Sequence, residues 1–154
     1  MENAFTIQNA SVRDLHILHR LERECFGQDA WPWLELLALL WFPDVVRLRA
    51  VVEGEMVGFI AADRRRAENC GLILTLGVFE QHRRKGIARA LLQECERQLV
   101  PLPRVRLTVR RSNAAAIALY TSLGYVQKEI WPKYYAAGED ALVLDKELQY
   151  SKIG

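Results

Sequence analysis

A basic loop around one glycine is the segment whose residue types most directly suggest chemistry. In order it is Arg83-Arg84-Lys85-Gly86-Ile87-Ala88-Arg89, and an amphipathic segment follows it. A phosphate group needs backbone N–H donors, room for the chain to come close and positive potential, and a helix that begins just after a strand supplies all three. Gly86 has no side chain to obstruct an anion, and Ala88 keeps the next turn slim. The pattern predicts an anion site, with an ordinary solvated basic loop as the alternative.

Other candidate groups give weaker signals. Neither GxxxxGK[ST] nor a GxGxxG after a strand is present, which is evidence against ATP, GTP and NAD. His16 and His19 share a helical face that suits a metal ion, but Arg23 on the same face would repel it, so a solvated helix is favoured. The cysteines lie far apart without CxxC spacing, which predicts small core residues and no metal, disulfide or acyl-carrying thiol: Cys25, Cys70 and Cys95.

Regular elements are predicted on both sides of the loop. Residues 72–78 are almost wholly apolar, as in a central strand covered on both faces, and Gly77 within them suggests a bulge or a close approach. Apolar residues then recur every four positions from Ile87 to Leu99, which predicts a helix that ends before Pro101. The order is strand, basic loop, helix.

The rest of the chain shows alternating strand and helix patterns. Ahead of the loop, the sequence predicts a strand near Phe5–Ile7, a helix capped by Ser11–Asp14, a helix from Pro32 to Pro43, and a hairpin of 45–52 with 56–62. After it come a strand at 105–110, a helix at 114–123 capped by Asn113 and closed by Gly124, and strands at 125–131 and 141–144.

Composition limits the class of protein. The chain has 154 residues, 51% of them hydrophobic, which predicts a single domain over 1–154 with a continuous core. No apolar run approaches a membrane span and Met1-Glu2-Asn3 lacks the basic start of a signal peptide, so a cytoplasmic protein without membrane contact is expected. A net charge of +2 makes nucleic acid an unlikely partner, despite the cluster Arg64-Arg65-Arg66.

Two segments together resemble the GNAT superfamily of acetyltransferases. Its motif (Q/R)xxGx(G/A) matches Arg83-x-x-Gly86-x-Ala88, and the stretch 110–125, RRSNAAAIALYTSLGY, resembles the segment after the fifth strand in N-terminal protein acetyltransferases. The similarity is greatest to the RimI type, the ribosomal-protein alanine N-acetyltransferases. The resemblance implies an α/β fold in which about four helices flank a mixed, mostly antiparallel sheet of seven strands.

The resemblance also implies a site and a substrate. Acetyl-CoA would be the co-substrate, without a metal, and its contacts would come from the strand end, the basic loop and the next helix: Leu76, Gly77, Val78, residues 83–89, Asn113 and Tyr120. Tyr120 would be the general acid that protonates the departing thiolate, although its spacing among Ile117, Leu119 and Leu123 favours a core residue. Thr108, Tyr134 and Tyr135 would contact the acceptor, a protein N-terminus, with a partly exposed packing role as the alternative for the tyrosines.

Thr108 is the main departure from the RimI pattern. Enzymes of that type carry a glutamate there, where it helps to accept the proton of the amine, and threonine cannot act as that base. Water held by backbone carbonyls or another carboxylate such as Glu139 would have to replace it. Two further functions therefore stay open at the sequence level, namely acetylation of a small-molecule amine and a non-catalytic acetyl-CoA sensor. The sequence allows a monomer or a homodimer.

Overall fold

The computed structural model describes residues 4–148, so the predicted lack of a leader at Met1-Glu2-Asn3 lies outside the described residues. Seven strands are present in this range: β1 (Thr6–Asn9), β2 (Val45–Val52), β3 (Glu55–Arg65), β4 (Cys70–Val78), β5 (Arg104–Arg110), β6 (Val126–Trp131) and β7 (Ala141–Glu147). Four α-helices accompany them: α1 (Leu15–Phe26), α2 (Trp33–Trp41), α3 (Ile87–Leu99) and α4 (Ala114–Ser122). The α/β class, the seven strands and the four helices confirm the predicted fold.

The strands form one sheet in the order β1-β2-β3-β4-β5-β7-β6. Its pairs are antiparallel except for β4 with β5, which run parallel with Cys70 beside Arg104 and Leu72 beside Arg106. Contacts between residues divide the described part of the chain into two compact units. The first contains residues 4–63 and 74–98, and the second contains residues 64–73 and 99–148. None of the helices in 4–148 is long and apolar enough to cross a membrane.

The first unit begins with the predicted capping box. The Ser11 side chain accepts the Arg13 N–H, and the Asp14 carboxylate accepts the Ser11 N–H, so two donors that precede α1 are satisfied. Pro32 is the N-cap of α2, one position earlier than the predicted first turn. The His19 ring stacks on Trp33, with centroids 3.6 Å apart, which joins α1 to the start of α2.

A buried apolar cluster lies between these two helices and the strands of the first unit. Its members include Leu18, Leu21, Leu36, Leu40 and Phe59, all at most 4% exposed. Burial of such side chains is the main source of stability in a domain of this size, at roughly 1.5–3 kcal/mol for each large apolar side chain. The outer edge of α2 is different, because large apolar side chains are exposed there: Trp33, Leu34, Leu37, Trp41 and Phe42.

Both strands of the predicted hairpin are present, and the second is longer than predicted. Glu53 and Gly54 both have positive φ, of 49° and 81°, as in the tight turns that match the twist of paired strands. β3 continues to Arg65 because its pairing with β2 reaches Asp63 opposite Val45. The prediction follows apolar runs and stops at residue 62, because the residues at the end of β3 are polar.

The second unit is built on β5, β7 and β6. Val105, Leu107 and Val109 are buried on one face of β5, as the alternation predicted. β7 runs to Glu147 rather than 144, because its polar end still pairs with β5 opposite Arg104. On the same two strands, Arg106 of β5 donates to both carboxylate oxygens of Asp145 of β7, at 2.7 and 3.0 Å. The positive charge on β5 is thus paired with a negative charge on β7.

Candidate active site

The basic loop follows β4 after a short 3-10 turn at Glu80–His82, and its shape depends on two residues with left-handed backbone. Arg84 has φ of 64° and Gly86 has φ of 80°. A Cβ at Gly86 would meet nothing within 4 Å, so glycine serves the backbone conformation there. The Gly86 carbonyl accepts the Ala90 N–H at 3.0 Å, which starts the hydrogen-bond ladder of α3 directly after the loop. The strand, loop and helix thus follow one another as predicted.

The side chains of the loop have different environments. Ile87 is 2% exposed and belongs to the core, so a ligand could contact its backbone N–H but not its side chain. Arg84, Lys85 and Arg89 are exposed. The Arg83 side chain turns back onto the protein, where its Nε donates to the Val78 carbonyl at 3.0 Å. The geometry therefore suits an anion held by backbone N–H groups with exposed cations around it.

The end of β4 lies against α1. Leu76 and Gly77 are partly exposed, and Val78 is buried. A Cβ at Gly77 would lie 3.0 Å from the Cys25 sulfur, so the close approach that the glycine suggested is made by α1. Burial raises the pKa of the Cys25 thiol, which fits a packing role better than a nucleophile.

Glu22 is a residue of this region that sequence reasoning missed. It is 1% exposed, and its carboxyl group accepts the Thr75 hydroxyl at 2.5 Å and the Trp31 N–H at 3.2 Å. Desolvation by burial raises its pKa. The signal in the sequence that could have identified this buried residue is its position: a charged residue one place after Leu21 and three before Cys25, on the side of α1 that packs against the core.

In the second unit, Asn113 and Tyr120 lie at opposite ends of α4. Asn113 is the N-cap, as predicted, and its Oδ1 accepts the Ala116 N–H at 3.2 Å. This bond uses the side-chain oxygen and leaves the amide N–H₂ donors for another role. Tyr120 is 8% exposed and packs edge-on to Tyr125, with centroids 5.9 Å apart. Burial, with a smaller contribution from Tyr135, raises the pKa of Tyr120 to about 12, so its phenol stays protonated at neutral pH.

Three residues predicted to contact the acceptor come together in this unit. The Tyr135 hydroxyl donates to Thr108 Oγ1 at 3.2 Å, and the Arg110 guanidinium lies over the Tyr135 ring at 4.7 Å from its centroid. Tyr134 meets Tyr135 edge-on at 5.0 Å and is itself exposed. The result is an aromatic and polar cluster in which the hydroxyl of Thr108 takes the position of the expected carboxylate.

Glu139 is poorly suited to replace the missing base. Its carboxylate accepts Arg110 Nη1 and the Ser112 N–H, both at 2.8 Å. Hydrogen bonding to the Ser112 side chain, followed by that to Arg110 and to the Ser112 N–H, lowers the pKa of Glu139. A carboxylate whose proton affinity is reduced in this way is a weaker proton acceptor. Within residues 4–148 no group of three or more His, Cys, Asp or Glu side chains has the geometry of a metal site.

Comparison with known proteins connects this geometry with a family. The model of the Acetyltransferase (GNAT) family matches residues 15–125, which includes β4, the basic loop and α4. The chain belongs to the GNAT family. It is therefore an acetyltransferase, and the resemblance based on the loop and the 110–125 stretch is confirmed.

Individual members of the GNAT family support this assignment over nearly the whole chain. The N-terminal acetyltransferase A complex catalytic subunit NAA10 of Arabidopsis thaliana is 34% identical over 93% of this chain and 78% of its own length. The ribosomal protein bS18-alanine N-acetyltransferase of Escherichia coli is 31% identical over 90% of this chain and 95% of its own. A crystal structure of the Escherichia coli ribosomal-protein-S18-alanine N-acetyltransferase superposes with a TM-score of 0.85, at 25% identity over 97% of this chain and 99% of that chain.

A further solved structure shows the co-substrate in this fold. Arabidopsis thaliana NAA60 in complex with acetyl-CoA superposes with a TM-score of 0.83, at 22% identity over 94% of this chain and 98% of that chain. In this chain the loop combines left-handed turns, a helix start and exposed cations, which are the features of an anion site.

Proposed function

We propose that this GNAT enzyme transfers the acetyl group of acetyl-CoA to the N-terminal α-amine of a protein, such as a ribosomal protein. The observation that carries the proposal is the pairing of Thr108 with Tyr135 next to Arg110 and Glu139. The residue at the position of the usual base is a hydroxyl, and the adjacent carboxylate is held by Arg110 and the Ser112 N–H. The preferred amine should be one that needs little help to lose its proton.

The α-amine meets this requirement better than a lysine side chain does. Its pKa is about 7.7–8.0, so a useful fraction is neutral near pH 7, whereas deprotonating a lysine of pKa about 10.4 costs roughly 4–5 kcal/mol. Water can then carry the proton away. The relatives that name a substrate type point the same way, since they are N-terminal and ribosomal-protein alanine acetyltransferases.

For the donor side we propose that the end of β4 and the basic loop bind acetyl-CoA through their backbone, with Leu76, Gly77 and Val78 at the thioester, residues 83–89 at the pyrophosphate and Asn113 at the pantetheine. This assignment rests on the left-handed turns at Arg84 and Gly86, the exposed cations and the N–H₂ donors that Asn113 keeps. Direct attack by the neutral amine on the thioester carbonyl forms the amide and breaks the C–S bond.

Tyr120 is the proposed acid in this transfer. The sulfur that leaves the thioester is an anion until it receives a proton, and a phenol that remains protonated at neutral pH is a suitable donor. Burial keeps the phenol of Tyr120 protonated but also raises its pKa to about 12, above the ~8.5 of a thiol, so it is a modest acid whose proton moves as the C–S bond breaks. Solvent then returns the phenol to its neutral form.

A peptide library tests the acceptor. Peptides with a free α-amine and no lysine are incubated with enzyme and acetyl-CoA beside matched peptides whose α-amine is blocked and which contain one lysine. Mass spectrometry should show an added acetyl group on the first set and little on the second. Modification of lysine or of a small polyamine, with every free α-amine untouched, would exclude a protein N-terminus as the substrate. Coenzyme binding without transfer to any amine would instead indicate a sensor.

A further inference from the structure

Glu22 connects three parts of the first unit through one buried carboxyl group. The residue lies on α1, its Oε2 accepts the Thr75 hydroxyl on β4, and its Oε1 accepts the Trp31 N–H just before α2. Thr75 is 6% exposed. A buried carboxyl group with two donors in place is costly to disturb, because each donor would lose its partner away from water.

Two more contacts run from α1 to the same stretch of chain. Cys25 donates its S–H to the Val78 carbonyl, with 3.5 Å between sulfur and oxygen, and the Glu24 carboxylate accepts the Glu80 N–H at 2.9 Å. Together with Glu22, these side chains place three contacts of α1 along this stretch of chain. The strand end is thus held at Thr75, Val78 and Glu80.

The held positions lie on both sides of Leu76 and Gly77, the residues placed at the thioester in the proposed function. Hydrogen bonds to an acyl oxygen stabilise a transition state only when the donors are already in position, so a shift of the strand end weakens them. The Thr75 side chain contacts α1, whereas Leu76 and Gly77 are partly exposed. The proposed ligand can therefore reach this part of β4.

We propose that Glu22 is a positioning residue of the donor site, which fixes the end of β4 through Thr75 and couples it to the segment before α2 through Trp31. The inference rests on the proposed binding of acetyl-CoA at Leu76–Val78. Glu22 does not touch the reacting atoms, and its effect passes through the backbone of β4. Burial raises the pKa of Glu22, and its hydrogen bonds with Thr75 and Trp31 oppose that rise.

Three variants separate positioning from general stability. Glu22→Leu keeps the volume and removes both hydrogen bonds, Thr75→Val removes only the hydroxyl, and Glu22→Gln retains an oxygen for Trp31 and an amide for Thr75. The control is Asp14→Asn, which alters a buried carboxylate of the same unit whose partners are Ser11 and Arg49. For each protein, the Kd for acetyl-CoA is measured by calorimetry, kcat and KM by acetyl transfer, and the unfolding midpoint by heating.

Glu22→Leu and Thr75→Val should each raise the Kd for acetyl-CoA or lower kcat by about tenfold, and the double variant should be little worse than either. Glu22→Gln should recover most of the loss, and Asp14→Asn should lower the unfolding midpoint without changing the Kd. Unchanged Kd and kcat in Thr75→Val, measured below its unfolding midpoint, would overturn the proposal. Since the Kd does not involve the acceptor, a wrong acceptor assignment leaves this result unaffected.

Discussion

The Tyr135 hydroxyl donates a hydrogen bond to Thr108 Oγ1 at 3.2 Å, and so an aromatic loop residue is fixed to the strand position where the resemblance to the RimI type implies a carboxylate. The same ring lies under the Arg110 guanidinium, which holds it from its face. Two independent contacts, a hydrogen bond and a cation–π contact, thus fix the orientation of this loop side chain. They orient the ring beside Thr108, where we propose that the acceptor binds.

Replacing Tyr135 with Phe should weaken the acceptor side of the site. The ring and its contact with Arg110 remain, but the hydrogen bond to Thr108 is lost, and the KM for a peptide acceptor should rise roughly fivefold with little change in the Kd for acetyl-CoA. Steady-state kinetics at saturating acetyl-CoA give this KM. Tyr125→Phe, which removes a hydroxyl from a tyrosine of the same unit outside the proposed acceptor site, is the matched control and should leave the KM nearly unchanged. A rise of the same size in both variants would contradict a specific role for the Tyr135 hydroxyl.

Replacing Tyr120 with Phe should slow the chemical step by about a hundredfold or more, which is the usual contribution of a general acid. The ring is buried against Tyr125 and should stay in place, so the unfolding midpoint and the Kd for acetyl-CoA should change little. Single-turnover kinetics measure the effect. Tyr125→Phe, which removes a hydroxyl from the neighbouring ring, should retain most of the rate. Wild-type turnover by Tyr120→Phe would exclude the phenol as the acid.

The pH profile of the wild-type enzyme should rise and then remain level. The proportion of neutral α-amine increases as pH passes about 7.7–8.0, so kcat/KM should increase over that range. The acid loses its proton only near its own pKa, and burial raises the pKa of Tyr120 to about 12, so no decline is expected up to about pH 10. Initial rates between pH 6 and 10 show this. A descending arm between pH 8 and 9.5 would indicate a different acid.

Replacing Gly86 with Ala should strain the loop. A residue with a Cβ pays about 1–2 kcal/mol for the left-handed backbone, and φ at Gly86 is 80°. The added methyl group meets no protein atom, so the effect comes from the backbone. Stability should fall by roughly this amount, and calorimetry should show weaker binding of acetyl-CoA.

Gly54 provides a matched control for this change. Its φ is 81°, it lies in the turn between β2 and β3, and a Cβ there also meets nothing within 4 Å. Gly54→Ala should cost similar stability and leave the Kd for acetyl-CoA unaffected. If both variants bind acetyl-CoA like the wild type, the Gly86 loop does not hold the donor.

Most of the fold could be predicted because local signals agreed with one another. β2 has the predicted bounds, the box at Ser11 is complete, and Gly124 ends α4 with φ of 97°. The errors lie at strand ends such as Arg65 and Glu147, where polar residues continue a ladder that is maintained by the partner strand rather than by their own apolar character.

The candidate site was only partly predictable, because much of it depends on contacts between residues far apart in sequence. The motif indicated the basic loop and Tyr120, but spacing could not show that Arg83 turns back to Val78, or that Arg110 and Ser112 bind the carboxylate of Glu139. Glu22 escaped notice for the same reason, since its partner Thr75 is 53 positions away.

The orientation of Arg83 also affects how a polyanion would be captured from solution. Its guanidinium is held by the Val78 carbonyl and the Cys25 sulfur, two uncharged partners that fix its position and leave its positive charge in place. Long-range attraction that speeds the encounter therefore comes from the exposed Arg83, Arg84 and Lys85 together, and dissolved ions screen it over a Debye length of about 8–10 Å. Diffusional encounter and final binding thus depend on different features of one short loop, the first on the charges of exposed side chains and the second on backbone dipoles.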